Sequence, residues 1–289
     1  MVRKKHVHII RTMHQKNMLP LVFLAVSKRP NTPIDKTTIN ELHLCLSTIA
    51  YHNESANIIV IARKNDFQRL AYNVSYPLSL TFTEFNATDV KTTFAQASIL
   101  KGMHHSGIGG ASKLLLPQLT GLKDFIFCDT DIVFLKPLSH LFKFYKNMTT
   151  SNKLIAATKI RAFQKFRTRI SSGLMIFKSV DPIKWKNAVI GALLLNPLNC
   201  DKFHWGHYTK PICITNEDAV GGDQEVISVI IDATDTLFQL PKYAHHIEQG
   251  QFKNVPNTTI TLHYKNIKNA LSVTQKHLPF LIIPHTLHK

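Results

Sequence analysis

Short apolar runs alternate with amphipathic segments along the first third of the chain. The runs "MLPLVFLAV" (18–26), "ANIIVIAR" (56–63) and "LSLTFTEFN" (78–86) have the length and residue content of buried strands. Between them, "TTINELHLCLSTIAYH" (37–52) has apolar residues at helical spacing, and "FQRLAYN" (67–73) begins a second helix. Thr37 or Thr38 is the expected cap of the first helix, with Glu41 completing a capping box. Strands separated by helices predict a parallel sheet with crossovers.

The rest of the chain continues the α/β pattern. "GIGGASKLLLPQLTGL" (107–122) predicts a helix packed on the sheet, and "DFIFCDTDIVFL" (124–135) predicts a fourth buried strand. Further helices are expected in "PLSHLFKFY" (137–145), "DPIKWKNAVIGALLL" (181–195) and "GGDQEVISVIID" (221–232), and further strands in "KLIAAT" (153–158), "SSGLMIFK" (171–178) and "TTITLHYKN" (258–266). We therefore expect a single α/β domain over residues 17–289, preceded by a basic and poorly ordered lead-in at 1–16.

Composition narrows the choice of partners. The chain has 289 residues and carries 35 Lys+Arg against 18 Asp+Glu, a formal charge of +17. Such an excess favours phosphorylated partners, polyanions and acidic surfaces. No zinc-finger spacing or aromatic RNA-binding signature is present, so nucleic acid is not the expected partner. No apolar segment reaches the roughly 18–20 residues of a membrane span, and we see no secretory signal.

Cysteines and glycosylation sequons bear on the compartment. Four cysteines, at 45, 128, 200 and 213, lack metal-ligand spacing. Cys128 is expected in the core, whereas Cys200 and Cys213 flank a polar loop and could pair in an oxidising compartment. Five N-x-S/T sequons weakly favour a secreted or lumenal protein, although ordinary asparagine usage also accounts for them; they lie at Asn53, Asn73, Asn86, Asn147 and Asn257.

Two aspartates interrupt the most apolar run of the chain. Asp129 and Asp131 lie between "FIFC" and "IVFL", where an isolated ionised carboxylate would cost several kcal/mol. Both would point the same way, roughly 6.5 Å apart on an ideal strand, at the sheet edge where α/β proteins bind ligands. A divalent cation would supply the compensating charge, and carboxylate oxygens favour Mg²⁺ or Mn²⁺. The alternative is a solvated turn with two acidic residues, because D-x-D alone is a weak motif.

Four ordered blocks of the chain resemble the family 8 glycosyltransferases, which have the GT-A fold, and above all their glucoside xylosyltransferase branch. "SKLLLPQLTGLKDFIFCDTDIVFLKPLSHLF" (112–142) has the family's basic residue, proline, D-x-D strand and "FL-x-P", at Lys113, Pro117, Asp129, Asp131, Leu135 and Pro137. "SSGLMIF" (171–177) is similar to the family's "NSGVMLM", and "GGDQEVISVII" (221–231) to its "GDQDLLNIIF". "LHYKN" (262–266) stands where the family has "HGN".

The resemblance implies a GT-A nucleotide-sugar-binding fold, with a mostly parallel central sheet and helices on both faces. It also implies a retaining, Mn²⁺-dependent (or Mg²⁺-dependent) enzyme that moves a sugar, by preference xylose, from a UDP-sugar to a glycan acceptor such as O-linked glucose on a protein. Asp129, Asp131 and His263 would bind the metal, although a surface histidine is the plainer interpretation of His263. Localisation would be the Golgi or endoplasmic reticulum lumen, as part of a type II membrane protein whose anchor is not visible in this chain.

The same resemblance implies roles for the residues around the donor. Lys113, expected to open the leucine-rich helix, would contact the phosphates, and Lys265 or Lys268 would close over them. Thr130, Ser171, Ser172 and Gly173 would also lie against the donor. Asp223 would bind sugar hydroxyls, although it could simply cap its helix. Gln224 would lie at the β-face of the anomeric carbon, where front-face attack by the acceptor hydroxyl is favoured over a covalent intermediate.

The chain departs from the family at two of these blocks. Ser171 replaces the first asparagine of "NSG", and Tyr264 replaces the glycine of "HGN". The family's cysteine-rich segment near the end is also missing. An alternative is therefore a catalytically lapsed protein of the same fold that binds a glycan or a partner. A basic nucleic-acid-binding domain is the third interpretation.

Overall fold

A seven-stranded sheet forms the centre of the protein. The computed structural model describes residues 19–27, 32–52, 55–71, 78–85, 90, 107–160, 169–194, 223–247 and 255–281. The strands of this sheet are β1 (Leu21–Ala25), β2 (Asn57–Ala62), β3 (Ser79–Glu84), β4 (Phe125–Cys128), β6 (Ile155–Ile160), β7 (Arg169–Phe177) and β8 (Leu237–Leu240). Their order is β3-β2-β1-β4-β7-β6-β8. All neighbours pair in parallel except β7, which runs antiparallel to β4 and β6.

A second, three-stranded sheet continues from the end of β4. It consists of β5 (Ile132–Phe134), β9 (His245–Ile247) and β10 (Thr261–His263), in the order β5-β10-β9. Strand β10 pairs antiparallel with β5, so that His263 lies opposite Ile132, and it pairs in parallel with β9. The chain passes between the two sheets through the three residues between β4 and β5, and again through residues 241–244 between β8 and β9.

Helices cover both faces of the large sheet, as expected from the buried character of its strands. They are α1 (Lys36–Tyr51), α2 (Phe67–Ala71), α3 (Gly107–Leu114), α4 (Leu116–Thr120), α5 (Ser139–Met148), α6 (Pro182–Leu194), α7 (Asp223–Thr234) and α8 (Ile267–His277). Successive strand residues point to opposite faces: Val22 and Phe127 pack with residues of α3, α4, α6 and α7. Phe23 and Ile126 pack with residues of α1, α2 and α5. The predicted α/β class, with a mostly parallel sheet and helices on both faces, is confirmed.

Local chain geometry corrects three predictions from sequence. "DFIFCDTDIVFL" is two strands in different sheets, because the chain leaves the large sheet at Asp129. The predicted helix over 107–122 breaks at Leu115, which places Lys113 in the last turn of α3 and not at a helix start. There a positive charge is favourable to the helix dipole. Helix α1 is capped by Asp35, whose side chain accepts a hydrogen bond from the Thr38 amide, and not by Thr37 or Thr38.

Three elements of the fold, helix α8 and strands β8 and β9, were not predicted from the sequence. The lead-in at 1–16, Cys200 and Cys213, and the sequon asparagines at 53, 73 and 86 lie outside the described residues. Cys45 and Cys128 are buried free thiols, as expected for Cys128. Among the described helices, none combines the length and apolar character needed to cross a membrane.

Candidate active site

The turn between the two sheets holds the D-x-D aspartates. The Asp129 amide donates to the Gly173 carbonyl at 2.8 Å, which extends the pairing of β4 with β7 by one residue. The Tyr264 amide donates to the Asp131 carbonyl at 3.1 Å, which extends the pairing of β5 with β10. Each aspartate therefore belongs to a different sheet, and the turn brings both side chains to the carboxyl edge of β1 and β4.

Three side chains around this turn can hold a metal ion. Atoms of the Asp129 and Asp131 carboxylates and the His263 imidazole all lie within 4.8 Å of one another. His263 Nε2 is 3.2 Å from Asp131 Oδ2. Two carboxylates and one imidazole suit a divalent cation such as Mn²⁺ or Mg²⁺ that keeps further positions for phosphate or water. The donor set thus fits the metal that the sequence predicted, and His263 is not a plain surface residue.

Charge and burial perturb the protonation of these groups. Burial, followed by the neighbouring Asp131 charge, raises the pKa of Asp129 to about 6, although Lys113 opposes the shift. Burial alone would lower the pKa of His263, but its hydrogen bond to Asp131 and the charges of both aspartates raise it above its usual value. Several ionisable groups therefore share one site, as is common at functional centres.

Gly173 allows the two sheets to meet. A Cβ atom built on Gly173 would lie 2.8 Å from His263 Nδ1, 2.9 Å from His263 Cε1 and 3.3 Å from Asp129 Oδ2. Real Cβ contacts at the first two distances are essentially never seen, so any side chain here would displace His263. The absence of a Cβ at this position is what lets the imidazole approach Asp129.

Lys113 lies at the centre of the charged groups. Its Nζ contacts both oxygens of Asp129, at 2.8 Å and 2.9 Å, and lies 3.2 Å from Asp223 Oδ2. It also donates to Ser172 Oγ at 3.4 Å and lies 5.3 Å from the centre of the Phe127 ring. Burial would lower the pKa of Lys113, but the charges of Asp129 and Asp223 raise it above its usual value, so the side chain is an ammonium at neutral pH.

The start of α7 contributes the predicted sugar-binding pair. Asp223 is buried and accepts a short hydrogen bond from Ser172 Oγ in addition to its ion pair with Lys113. Gln224 follows it and is partly exposed. The backbone carbonyl of Gln224 accepts a hydrogen bond from Ser228 Oγ within the helix. The predicted residues Lys113, Ser172 and Asp223 are thus brought together, with Gln224 beside them.

Ser171 contacts a buried histidine, and its expected contact with the donor remains a prediction. Its Oγ lies 3.2 Å from His245 Nε2, and the His245 Nδ1 lies 3.0 Å from Thr261 Oγ1, which itself donates to the Ala244 carbonyl. Because Thr261 gives its proton to that carbonyl, His245 donates from Nδ1 and accepts at Nε2. Burial, with the nearby His263 charge, lowers the pKa of His245 well below its usual value, so it stays neutral. Its ring stacks on His263 with centroids 5.6 Å apart.

A cavity of about 610 Å³ opens beside the metal ligands. Its walls come from the ends of β1 and β4 and from the starts of α1 and α7, with Lys113 and the glycines of α3 between them. Glu41, on α1, accepts a 3.4 Å hydrogen bond from Thr130 Oγ1. Burial, and then the charges of Asp131 and Asp35, raise the pKa of Glu41 to about 7. A cavity of this size can hold a ligand as large as a nucleoside diphosphate.

Two groups of residues near the site were not predicted from the sequence, and the contact of two predicted lysines with phosphate is untested. Glu41 was assigned to a capping box, while His245 and Thr261 had no local signal because their partner is Ser171, far away in sequence. Lys265 and Lys268 are exposed, between β10 and the first turn of α8. Their expected contact with phosphate remains a prediction.

Solved structures of glycosyltransferases share this architecture. No protein-family model matches the chain, and no curated protein matches it either. The apo form of mouse xyloside xylosyltransferase 1 aligns over 85% of this chain and 97% of its own, with a TM-score of 0.52 and 11% identity. The galactosyltransferase LgtC, in complex with donor and acceptor sugar analogues, aligns over 93% and 99%, with a TM-score of 0.53 and 11% identity.

A third neighbour is a glycosyltransferase from Streptococcus pneumoniae. The glycosyltransferase GlyE of Streptococcus pneumoniae aligns over 94% of this chain and 63% of its own, with a TM-score of 0.52 and 13% identity. These neighbours are GT-A glycosyltransferases. This chain has the GT-A fold. At identities this low, the similarity establishes the architecture, and the function has to be argued from the residues of the site.

Proposed function

We propose that the protein is a retaining, family 8 type glycosyltransferase that moves a sugar from a UDP-sugar donor to a glycan acceptor with the help of Mn²⁺ or Mg²⁺. The observation that carries the proposal is the cluster of Asp129, Asp131 and His263, open to a cavity of about 610 Å³ and flanked by Lys113. Structural neighbours named as glycosyltransferases support sugar transfer as the class of reaction.

The residues divide the work of binding the donor. The two aspartates and the histidine would hold the metal, and the bound ion would supply positive charge for a diphosphate leaving group. Lys113 places an ammonium beside the same position and can donate hydrogen bonds to phosphate oxygens. Lys265 and Lys268 would approach the phosphates from the segment after β10, and Thr130 and the Ser171–Gly173 segment would border the donor.

Asp223 and Gln224 would act on the transferred sugar. Asp223 is an acceptor for sugar hydroxyls, and it is held in place by Lys113 and Ser172. Gln224 would face the anomeric carbon, where its amide oxygen can stabilise developing positive charge without forming a bond. A neutral amide is a poor nucleophile, so the acceptor hydroxyl would attack from the same face that the UDP leaves.

Xylose is the donor sugar and O-linked glucose on a protein the acceptor that we propose to test first. The chain's resemblance to the glucoside xylosyltransferases supports this choice, and one of its structural neighbours is named a xylosyltransferase. We also propose that the protein works in the Golgi or endoplasmic reticulum lumen, anchored as a type II membrane protein. The sequon residues Asn147 and Asn257 are exposed, which supports a lumenal location.

A panel of UDP-sugars tests the proposal. With Mn²⁺, the protein should hydrolyse one of them slowly and transfer that sugar to an O-glucosylated peptide, and EDTA should abolish both activities. UDP affinity measured by calorimetry should fall when the metal is removed; equal affinity with and without metal would contradict the metal assignment. Metal-dependent UDP binding without hydrolysis or transfer would favour the lapsed protein. Salt-dependent DNA retention without UDP binding would favour a nucleic-acid-binding domain.

A further inference from the structure

Lys113 contacts the same carboxylate that a metal ion would bind. Its Nζ contacts both carboxylate oxygens of Asp129, at 2.8 Å and 2.9 Å. A cation bound to Asp129 would therefore have to share this carboxylate with the Lys113 ammonium. Among the described residues, the carboxylate of the neighbouring Asp131 pairs with the His263 imidazole at 3.2 Å. One of the two D-x-D carboxylates thus has a buried ammonium as its counterion, and the other faces a histidine.

Burial and several neighbouring groups hold the Lys113 ammonium in the cluster. The Lys113 side chain is only 12% exposed, and it is held by Asp223 at 3.2 Å and by Ser172 at 3.4 Å as well as by Asp129. Its Nζ also lies over the Phe127 ring. Because it cannot swing into solvent, its charge stays within a few ångströms of any metal bound to Asp129 and repels that metal. A diphosphate beside the metal would offset this repulsion, because its oxygens attract both the ammonium and the metal ion.

We propose that Lys113 is a built-in counterion of Asp129, so that a divalent metal binds weakly alone and tightly together with a diphosphate. The inference rests on the proposed function, because it assumes that a nucleoside diphosphate is the ligand of this cavity. It adds an order to the binding events: the metal enters with the nucleotide.

Lys113→Met separates the two roles of the lysine, because methionine keeps the apolar stem and removes the charge. Manganese affinity is measured by electron paramagnetic resonance without nucleotide and with saturating UDP, and UDP affinity by calorimetry with and without Mn²⁺. In the nucleotide-free variant we expect Mn²⁺ to bind about tenfold more tightly than in the wild type. In the presence of Mn²⁺ we expect UDP to bind about tenfold more weakly.

UDP affinity without Mn²⁺ should fall by less than about tenfold in the variant. The coupling between metal and UDP, which thermodynamic linkage requires to be the same whichever ligand is added first, should therefore decrease. Unchanged or weaker Mn²⁺ binding by the nucleotide-free variant would overturn the proposal, and so would unchanged coupling. Lys153→Met is the matched control. Lys153 and its exposed partner Asp235 precede β6 and β8, at the edge of the large sheet opposite the carboxyl end of β4, so the variant should change neither affinity.

Lys113→Arg keeps the inference testable if the methionine variant does not fold. Arginine keeps the positive charge beside Asp129, so nucleotide-free Mn²⁺ binding should be no tighter than in the wild type. Tighter binding would overturn the proposal. Failure of the proposed function has a different signature: wild-type protein would not bind UDP in the presence of Mn²⁺, whatever the lysine variants do to metal affinity.

Discussion

The two sheets supply two unlike halves of the candidate site. The large-sheet half contains Asp129, whose charge is balanced by Lys113 and which is hydrogen-bonded through its amide to β7. The small-sheet half contains Asp131, with a side chain that is 33% exposed and that pairs, among the described residues, with the His263 imidazole. The first half is therefore held by a buried ion pair, whereas the second is more open to a cation.

This difference shows why the two aspartates of one short motif should not behave alike. A carboxylate that pairs with a buried lysine contributes to folding, and its loss leaves an uncompensated charge. A half-exposed carboxylate that faces an imidazole contributes little to folding but is free to bind a metal. Variants on either side of the turn can separate the two contributions.

Gly173→Ala should have the largest effect, because it acts where the halves meet. The added Cβ would lie 2.8 Å from His263 Nδ1, so the imidazole has to move and the metal site should be lost. Overpacking of this kind typically costs about 1–3 kcal/mol of stability. Urea unfolding and Mn²⁺ titration measure both effects.

Gly109→Ala is the matched control for the glycine at the joint. Its Cβ would meet only Val26 Cγ2 at 3.8 Å, an ordinary contact, and Gly109 lies inside α3. Alanine is about 1 kcal/mol better than glycine in a helix interior, so this variant should be at least as stable as the wild type. Equal stability and equal Mn²⁺ binding of the two variants would mean that the missing Cβ of Gly173 is not needed for the approach of His263 to Asp129.

Asp131→Asn should weaken Mn²⁺ binding by about a hundredfold, because it removes one charged ligand. Its unfolding free energy should stay within about 1 kcal/mol of the wild type, since the Asp131–His263 pair is partly exposed. Asp129→Asn should lose metal binding and also destabilise the fold by about 1–3 kcal/mol, because Lys113 loses its closest partner. Equal stability losses in the two variants would contradict the distinction between the halves.

Gln224→Ala should lower turnover by about a hundredfold, the usual cost of removing one group that stabilises a transition state. UDP affinity should change by no more than a few-fold, because Gln224 would face the transferred sugar, which UDP lacks. Single-turnover kinetics at saturating donor, with calorimetry of UDP binding, separate the two parameters. Normal turnover with a large loss of UDP affinity would assign Gln224 to donor positioning.

Tyr264→Phe should have the smallest effect, and of opposite sign. Tyr264 is 1% exposed, and its hydroxyl has no hydrogen-bond partner among the described residues. Removing a buried, unpaired hydroxyl should stabilise the protein by about 1 kcal/mol and leave Mn²⁺ and UDP binding unchanged. A loss of stability in thermal unfolding would show that the hydroxyl has a partner.

Sequence patterns predicted the large sheet well because its strands are buried on both faces. Continuous apolar runs such as "ANIIVIAR" and "SSGLMIFK" have the strand signature, and the order of strands and helices predicts the α/β class. The same feature hid the boundary between the sheets. Residues 125–128 and 132–134 are equally apolar, so hydrophobicity cannot distinguish one long strand from two short ones.

Local motifs predicted only part of the site. Lys113, Asp129, Ser172 and Asp223 carry short-range signals and do come together. The chain's break at Leu115 moved Lys113 to a helix end, which depends on the proline that follows and on tertiary packing. The contact of Ser171 with His245 joins residues 74 positions apart, and no single-sequence pattern encodes such a pair. Helix α8 was missed because its apolar positions are few and its lysines read as a basic tail.

The short turn between the sheets is tied at both ends by main-chain hydrogen bonds, from the Asp129 amide to Gly173 and from the Tyr264 amide to Asp131. These two amide protons can exchange with deuterated solvent only when one sheet separates from the turn. Their exchange rates would therefore report how often each sheet opens, and the measurement needs no ligand or substrate. A site built in this way keeps its shape for as long as the surrounding strands stay paired, and its lifetime is that of the folded domain.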